Sequence, residues 1–225
     1  PSIGADGFLP DDRSQGWAAD IFELRSPSII SLTCRGATQC ANGTGFIISK
    51  NGYFVTNDHV VYDDSAGGYF SKLEIRFADG KKKCKAYVVT SNKKSDVALC
   101  RFEPDDIPET EPIPFIGDYS NLKQGADILV IGNGLSMGLA PFTGTVKFTH
   151  GESGNLVYTA PSNPGDSGGP VFNRNGECVG INKSVTVSVV RGGQEISVNG
   201  LTNATPADKI VELLKNWSQS LNITL

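Results

Sequence analysis

The sequence predicts an all-β fold of two closed antiparallel barrels, each of six strands, followed by one C-terminal helix. Short runs rich in β-branched and aromatic residues recur from residue 28 to residue 200, separated by turn signals. A stretch rich in proline and acidic residues, 103–114, divides these runs into two groups, and it is a linker because proline cannot donate to a sheet ladder. After residue 204 the apolar residues repeat with helical spacing. Closing each group into a barrel removes exposed sheet edges.

The first group contains six predicted strands. Asn51-Gly52 and Asp79-Gly80 lie within it and are typical of tight hairpin turns. The predicted strands are 28–34, 45–49, 53–56, 73–78, 86–90 and 97–102. Ahead of them, Trp17, Ile21 and Leu24 share one helical face, so a short N-terminal helix is expected.

The second group precedes the C-terminal helix. Its predicted strands are 127–131, 143–149, 156–160, 170–172, 178–181, 184–190 and 195–198. Thr205 is then expected as a helix N-cap, with Pro206 as the first helical residue and Asp208 as the acid of a capping box. Ile210 and Leu214 belong to the apolar stripe that follows, which should pack against the second barrel.

These elements define an expected domain organisation. It comprises an N-terminal arm 1–27, a first barrel 28–103, a linker 104–120, a second barrel 121–204, a helix 205–218 and a tail 219–225.

Composition and charge exclude several classes of function. The net charge of −4 gives no global attraction to nucleic acid or to an anionic membrane, so no nucleic-acid partner is expected. No window approaches the roughly 18 apolar residues of a membrane span. Two histidines and no Cys-x-x-Cys pair provide no zinc-ligand set, and Gly132-Asn133-Gly134 lacks the third glycine of a dinucleotide loop. We therefore expect no metal and no other cofactor.

The five cysteines are an odd number, so at least one is unpaired unless it bonds another chain. Cys34 and Cys40 are close enough in sequence to close a small disulfide loop, and this pairing stays open. Cys100 lies in an apolar run and is expected in the core.

The segment 163–170, Asn-Pro-Gly-Asp-Ser-Gly-Gly-Pro, is the most informative in the chain. A serine between glycines exposes its hydroxyl on a turn, and Gly165 lets backbone N–H groups point into one small space where negative charge can develop. A glycine-rich turn with an incidental serine is the simpler interpretation. The length of the run Gly-Asp-Ser-Gly-Gly-Pro, residues 165–170, nevertheless favours Ser167 as a nucleophile. Residues 165–169 also match Gly-x-Ser-x-Gly, the nucleophile elbow of α/β-hydrolases, but in that class the histidine follows the serine in the chain. Both histidines precede Ser167.

A serine hydroxyl is a weak nucleophile and needs an adjacent base. His59 follows a hydrophobic hairpin that ends abruptly in polar residues, at a strand end where loops build sites. His150 lies in a polar turn and is expected on the solvated surface. We therefore predict that His59 is the base.

The imidazole needs a carboxylate that holds its tautomer. Asp96 stands directly before the apolar run 97–100, whereas the rival Asp58 is adjacent to His59 in sequence and would have to fold back onto its neighbour's ring. Asp96 could instead be a polar residue that caps an edge strand. The order His59, Asp96, Ser167 favours a catalytic triad, since it is the chymotrypsin order.

At these residues the chain resembles the HtrA/Deg branch of trypsin-like serine proteases, over roughly residues 28–215. The segments that carry the resemblance are 43–61, 77–102, 115–118, 129–134, 163–182 and 204–208. The resemblance implies a chymotrypsin-like double barrel with the site in the cleft between the barrels. It also implies that the backbone amides of Gly165, Asp166 and Ser167 form the oxyanion hole. Lys183, Ser184 and Val185 would run alongside the substrate as an added strand.

The chain departs from this family in three ways. Family members usually carry PDZ modules after the protease domain, whereas this sequence stops at Leu225. Asp166 stands where the family commonly has Asn, and we expect local backbone amides or another side chain, rather than a newly cleaved N-terminus, to satisfy it. The stretch 184–200 enlarges a loop that normally shapes the substrate pocket.

Alignment with trypsin-like enzymes gives an expectation for the pocket, and the resemblance to the HtrA/Deg branch gives one for the assembly. Pro161 stands where a basic-specific pocket carries an acid, with Ser162 and Asn182 as polar neighbours. A pocket without a carboxylate should not prefer Arg or Lys, and small or medium apolar side chains are expected instead. The resemblance also suggests a homotrimer held by N-terminal aromatic residues, for which Phe8, Trp17 and Phe22 are available.

The predicted function is that of a serine endopeptidase that hydrolyses polypeptides through an acyl-enzyme. The alternative is a protease-fold binding or scaffold protein that no longer cleaves. The presence of all three triad residues, His59, Asp96 and Ser167, argues against it. A viral or self-processing protease would be a variant of the same chemistry.

Overall fold

Two closed antiparallel barrels form the body of the structure, a computed structural model that describes residues 16–184 and 187–225. Alternating apolar residues bury one side of each strand in a barrel core. The elements up to the linker are α1 (Trp17–Arg25), β1 (Ile29–Arg35), β2 (Cys40–Ile47), β3 (Tyr53–Thr56), α2 (Asp58–Val61), β4 (Tyr62–Asp63), β5 (Gly68–Tyr69), β6 (Leu73–Phe77), β7 (Lys83–Asn92) and β8 (Val97–Phe102). Those after the linker are β9 (Asp127–Gly132), β10 (Ala140–Phe148), β11 (Leu156–Thr159), β12 (Pro170–Phe172), β13 (Cys178–Ser184), β14 (Val187–Arg191), β15 (Gln194–Val198), β16 (Thr202–Pro206) and α3 (Ala207–Ser220). Short 3-10 turns cover 26–28, 104–106, 119–121 and 134–136.

The first barrel has the strand order β1-β2-β3-β8-β7-β6 and is filled by aromatic and aliphatic side chains. The rings of Phe54 and Phe102 lie 5.1 Å apart in its core. The second barrel has the order β10-β11-β16-β13-β12-β9, with Tyr158 wholly buried in its core. A third apolar cluster lies where the barrels meet, and it includes Phe46 from one barrel and Phe172 from the other. The prediction of two six-stranded barrels and a C-terminal helix is confirmed.

The start of the C-terminal helix was predicted wrongly. Thr205 does not cap the helix, because it belongs to β16, and its hydroxyl donates to Ser95 O at 2.6 Å. Pro206 occupies the N-cap position and Asp208 Oδ1 accepts from the amide of Lys209, so no capping box forms. Pairing of β16 with β11 and β13 completes the barrel, and these ladder hydrogen bonds outweigh the local capping signals.

Two segments predicted among the strands of the second group lie outside the barrel. They are β14 and β15, which pair only with each other among the described strands and form a hairpin beside the barrel. The hairpin exposes Val190 and Ile196, and Arg191 forms an ion pair with Glu152 at 2.7 Å. Alternation with a period of two predicts a strand but does not specify the sheet to which the strand belongs. In the structure, β16 is the sixth strand of the second barrel, and β14 and β15 are outside it.

The short N-terminal helix is present as α1. Ile21 is buried in the cluster between the barrels, and Trp17 and Phe22 pack against the same cluster, whereas Leu24 is exposed. All five cysteines are free thiols, so Cys34 and Cys40 are not bonded to each other; Cys100 is buried as expected. None of the helices in the described ranges is long and apolar enough to cross a membrane.

Candidate active site

The turn that carries Ser167 connects β11 and β12 of the second barrel and packs against the first barrel. Ser167 O accepts from the amide of Thr44 at 2.9 Å. Gly168 has a φ of +92°, and a Cβ at this position would lie 2.0 Å from Thr44 O and 2.3 Å from Thr56 Oγ1. Only glycine fits such an approach. The turn is therefore packed against the end of β3, three residues before His59.

His59 and Asp96 form a two-point contact at the ends of neighbouring strands. The short helix α2 places His59 directly after β3, and Asp96 directly precedes β8. His59 Nδ1 lies 2.7 Å from Asp96 Oδ2, and the His59 amide donates to Asp96 Oδ1 at 3.0 Å. The imidazole is 50% exposed and the carboxylate 17%. The other ring nitrogen, Nε2, takes no part in this contact.

The backbone at Asp96 is held in the left-handed region, with a φ of +54°. Non-glycine residues in this region are strained and persist only where their surroundings fix them. Asn57 Nδ2 donates to Asp96 O at 2.9 Å and supplies one such constraint. The rival Asp58 faces elsewhere, because its Oδ1 accepts from Tyr69 Oη and Ser91 Oγ at 2.9 and 2.6 Å.

His150 takes no part in this cluster. It is half-exposed, its Nε2 lies 2.9 Å from Asp208 Oδ2, and its ring contacts Tyr119 edge-on. Tyr119 in turn donates to Thr149 O at 2.6 Å, and burial raises the pKa of its phenol. The second histidine is thus held against the start of α3.

Among the hydrogen bonds of the described residues, the Ser167 hydroxyl forms none with His59. Its Oγ donates to the backbone carbonyl of Lys183 at 3.0 Å. In that orientation the hydroxyl proton is directed at the Lys183 carbonyl. Rotation about one side-chain bond is sufficient to change this contact.

The expected oxyanion hole is corrected at one residue. The Asp166 amide donates to Asn163 O at 3.0 Å, because it closes the tight turn before Ser167, and it is therefore not available to an oxyanion. Within the described part of the chain, the amides of Gly165 and Ser167 have no hydrogen-bond partner. These two N–H groups remain the candidate donors.

The Asp166 carboxylate is satisfied locally, as expected from the sequence. It is buried, and its Oδ2 accepts from the Asn163 amide at 2.7 Å. Burial raises the pKa of this carboxyl, against the opposing effect of hydrogen bonds from the Asn163 and Gly134 amides. A Cβ on Gly132 would lie 2.5 Å from Asp166 Oδ1, so glycine is required for this close approach.

Thr44 is a site residue that the sequence analysis missed. Its Oγ1 donates to Gly165 O at 2.7 Å and accepts from the Asn133 amide at 2.9 Å. With its amide on Ser167 O, it joins the first barrel to the nucleophile turn and to the loop after β9. The signal available in the sequence was a polar residue between Gly43 and Gly45, inside an otherwise buried strand end.

The predicted pocket residues lie on both sides of the Ser167 turn. Pro161 is exposed, Ser162 is half-exposed, and Asn182 is wholly buried. Lys183 lies at the cleft in β13, where Nζ donates to Asn155 Oδ1 at 3.3 Å. Burial lowers the pKa of its ammonium group, and the nearby Asp96 charge opposes this shift. Ser184 ends the strand, and Val185 lies outside the described residues.

Two closed six-stranded barrels, with a serine turn packed beside a paired histidine and aspartate, define the chymotrypsin-like class of protein. The model of the trypsin-like peptidase domain matches residues 43–181, a stretch that includes His59, Asp96 and Ser167. The chain belongs to this family of trypsin-like peptidase domains.

The curated relatives include proteins named probable periplasmic serine endoprotease DegP-like. The one from Pseudomonas fulva is 36% identical over 149 residues, which cover 64% of this chain and 29% of the relative. The one from Hahella chejuensis is 33% identical over 180 residues, covering 77% of this chain and 35% of the relative. The chain thus spans about a third of the length of these relatives.

Solved structures share the fold. An HtrA-type protease, AlgW with a tripeptide, superposes with a TM-score of 0.72 at 23% identity, over 90% of this chain and 63% of that one. A serine endoprotease from Yersinia pestis superposes with a TM-score of 0.70 at 23% identity, over 90% of this chain and 66% of that one. At this identity, the likeness supports the architecture alone.

Proposed function

We propose that this protein is a serine endopeptidase that cleaves polypeptides through an acyl-enzyme, with His59, Asp96 and Ser167 as its triad. The observation that carries the proposal is the 2.7 Å contact between His59 Nδ1 and Asp96 Oδ2, beside the turn that presents Ser167. A carboxylate on Nδ1 fixes the tautomer in which Nε2 can accept a proton. The names of the curated relatives support the same activity.

The reaction follows from these positions. Ser167 Oγ attacks the carbonyl carbon of the peptide bond and its proton passes to His59 Nε2, while Asp96 stabilises the resulting imidazolium. The N–H groups of Gly165 and Ser167 receive the oxyanion. Collapse of this intermediate breaks the C–N bond, and the proton from His59 leaves with the amine. Water then hydrolyses the acyl-enzyme by the same route.

The substrate must change the resting contact of the nucleophile. Ser167 Oγ donates to Lys183 O at 3.0 Å, so the hydroxyl has to turn toward His59 before it can be deprotonated. An extended peptide alongside Lys183 and Ser184, at the end of β13, would offer its own N–H groups to this strand. Such pairing would free the hydroxyl, which links substrate binding to activation.

A non-cleaving binding protein is the second candidate, because the Ser167 hydroxyl is bonded away from His59. A fluorophosphonate probe distinguishes the two functions, since it labels only a serine activated by its base. We expect labelling of the parent and none of Ser167→Ala, together with cleavage of a peptide library. Absence of both labelling and cleavage in the folded parent would favour the binding protein.

We also propose a homotrimer, as the family resemblance implies. Trp17 and Phe22 of α1 are partly buried against this chain's own core, and the Arg174 guanidinium lies 5.2 Å from the centre of the Trp17 ring; Phe8 lies outside the described residues. Leu24 offers an exposed apolar side chain on the same helix. Light scattering at micromolar concentration tests the proposal, and a monomer would contradict it.

A further inference from the structure

Three polar side chains form a connected chain behind the nucleophile turn. Tyr158 and Asn182 are wholly buried, and Ser162 is half-exposed. The Tyr158 hydroxyl donates to Asn182 Oδ1. Asn182 Nδ2 donates to Ser162 Oγ at 3.0 Å and to Asp166 O at 3.2 Å. A buried polar network of this kind is stable only when each member has a partner.

The direction of each hydrogen bond in the network is determined. Asp166 O is a backbone carbonyl and can only accept, so the amide nitrogen of Asn182 must face it. Both amide protons are then used, and the amide oxygen is left to accept from Tyr158. Burial raises the pKa of Tyr158 well above its ordinary value, so its hydroxyl keeps the proton it donates.

Ser162 Oγ therefore accepts a hydrogen bond within the network, and its own hydroxyl proton is not donated to another member of the network. Among the hydrogen bonds of the described residues, its Oγ donates to none. A hydroxyl has one proton and two lone pairs, and Asn182 occupies one lone pair. Ser162 consequently presents one donor and one acceptor on its open side.

The Ser162 hydroxyl is linked by hydrogen bonds to residues on either side of Ser167. Asn182 immediately precedes Lys183, whose carbonyl accepts from Ser167 Oγ at 3.0 Å. The amide of Gly168 also donates to Asn182 O at 2.9 Å. The Ser162 hydroxyl is thus linked, through Asn182, to β13 and to the turn that carries Ser167.

The two charged side chains near Ser162, Lys183 and Asp166, already have hydrogen-bond partners. Lys183 Nζ is held on Asn155 Oδ1 at 3.3 Å, and the Asp166 carboxylate accepts from the Asn163 and Gly134 amides. A charged substrate side chain would therefore lose its water without gaining an ion partner, which is costly. An uncharged polar side chain would instead complete the hydrogen bonds of Ser162.

We propose that Ser162 is a specificity-determining residue, and that the residue before the cleaved bond carries an uncharged hydroxyl or carboxamide. The proposal rests on the proposed endopeptidase function and replaces the apolar preference expected from the sequence. The hydrogen bonds from Tyr158 through Asn182 fix the Ser162 hydroxyl. A side chain of the same shape without a polar group leaves that hydroxyl unpaired.

Matched peptides test the proposal. Thr and Val have the same shape, so peptides that differ only in this residue isolate the hydrogen bond. We expect kcat/KM for the Thr peptide to exceed that for the Val peptide by about tenfold, and Ser162→Ala to abolish the difference. Ser162→Thr retains the hydroxyl and should retain the preference. Ser120→Ala removes an exposed hydroxyl that donates to Asp118 Oδ1 at 2.7 Å, away from the cleft, and serves as the control.

A binding measurement separates this inference from the proposed activity. Ser167→Ala is titrated calorimetrically with product peptides that end in Thr or Val, and the Thr peptide should bind about tenfold more tightly unless Ser162 is also changed to Ala. Cleavage without a preference for Thr overturns the inference and leaves the activity standing. A Ser162-dependent preference in binding, with no cleavage by the parent, supports the inference and contradicts the activity. Equal binding of both peptides overturns it in either case.

Discussion

The two halves of the candidate site differ in how far they are assembled. The first barrel holds His59 and Asp96 in a two-point contact, with the ring nitrogen 2.7 Å from the carboxylate. The second barrel presents Ser167 on a turn, with its hydroxyl on Lys183 O instead of His59. Strand ends of a closed barrel thus fix one half in advance, whereas the turn of the other half holds the Ser167 hydroxyl on a different partner.

The largest expected effect tests whether the two halves act as one unit. Ser167→Ala and His59→Ala should each lower kcat by about 10⁴- to 10⁶-fold, because neither half works without the other. The double variant should be little worse than either single variant. Steady-state kinetics on a cleaved peptide give the comparison, and additive losses would show that the two residues work independently.

A second prediction concerns the preassembled half. Asp96→Asn should lower kcat by about 10⁴-fold, because the amide favours the wrong tautomer of His59. Asp58→Asn is the matched control, since Asp58 is buried and bonded to Tyr69 and Ser91. It should reduce stability by about 1–3 kcal/mol and affect kcat far less. If the two variants lost similar activity, the choice of Asp96 over Asp58 would be wrong.

A third prediction addresses the loop half through Thr44. Thr44→Val keeps the shape but removes the hydroxyl that binds Gly165 O and the Asn133 amide. We expect kcat to fall about 10- to 100-fold, since an unpaired buried group costs about 1–3 kcal/mol. The low-field proton resonance of the His59–Asp96 pair should be unchanged.

Thr33→Val supplies the control for that variant, because Thr33 bonds an exposed Asn42 in the same barrel. It should leave kcat near the parent value. A changed low-field resonance in Thr44→Val would mean that the two halves are not independently built.

The smallest expected effect concerns Asp166, beneath the loop half. Burial raises the pKa of this carboxyl, so the folded protein binds its proton to a higher pH than the unfolded chain does. The stability due to this group therefore falls as the pH rises from the ordinary Asp pKa through the raised one. Asp166→Asn should be more stable than the parent at pH 7, and this advantage should disappear at a pH well below the ordinary Asp pKa. Chemical denaturation at several pH values measures the difference, and an advantage confined to acid would contradict it.

Strand periodicity and turn signals were sufficient to predict both barrels, but not which strands close the second one. The segment 202–206 reads as a helix start because it contains Thr205, Pro206 and a nearby acid, and only pairing with distant strands makes it β16. The hairpin of β14 and β15 has the alternation of a barrel strand, so its separate position could not be read from the pattern.

The site shows the same division between local and long-range information. The position of Asp96 before an apolar run, and the adjacency of Asp58 to His59, favoured Asp96 as the partner of His59. In the structure the Asp96 carboxylate lies 2.7 Å from His59 Nδ1, whereas Asp58 accepts from Ser91. Commitment of the Asp166 amide to Asn163 O depends on how the turn closes, and the role of Thr44 depends on a partner 121 residues away. Neither has a sequence signal of its own beyond the flanking glycines.

One of the five free thiols, that of Cys40, is exposed and can serve as the attachment point for a fluorescent dye. Burial raises the pKa of Cys34 and of Cys178 to about 12, and also raises the pKa of Cys84 and Cys100, so these four form thiolates poorly. Cys40 is exposed, at the first residue of the strand that leads to Thr44. At about 3.3 Å per residue, four residues place it about 13 Å from Thr44. A maleimide dye should therefore attach to the unmodified chain at one place, close enough to register peptide arrival in the cleft as a change in fluorescence.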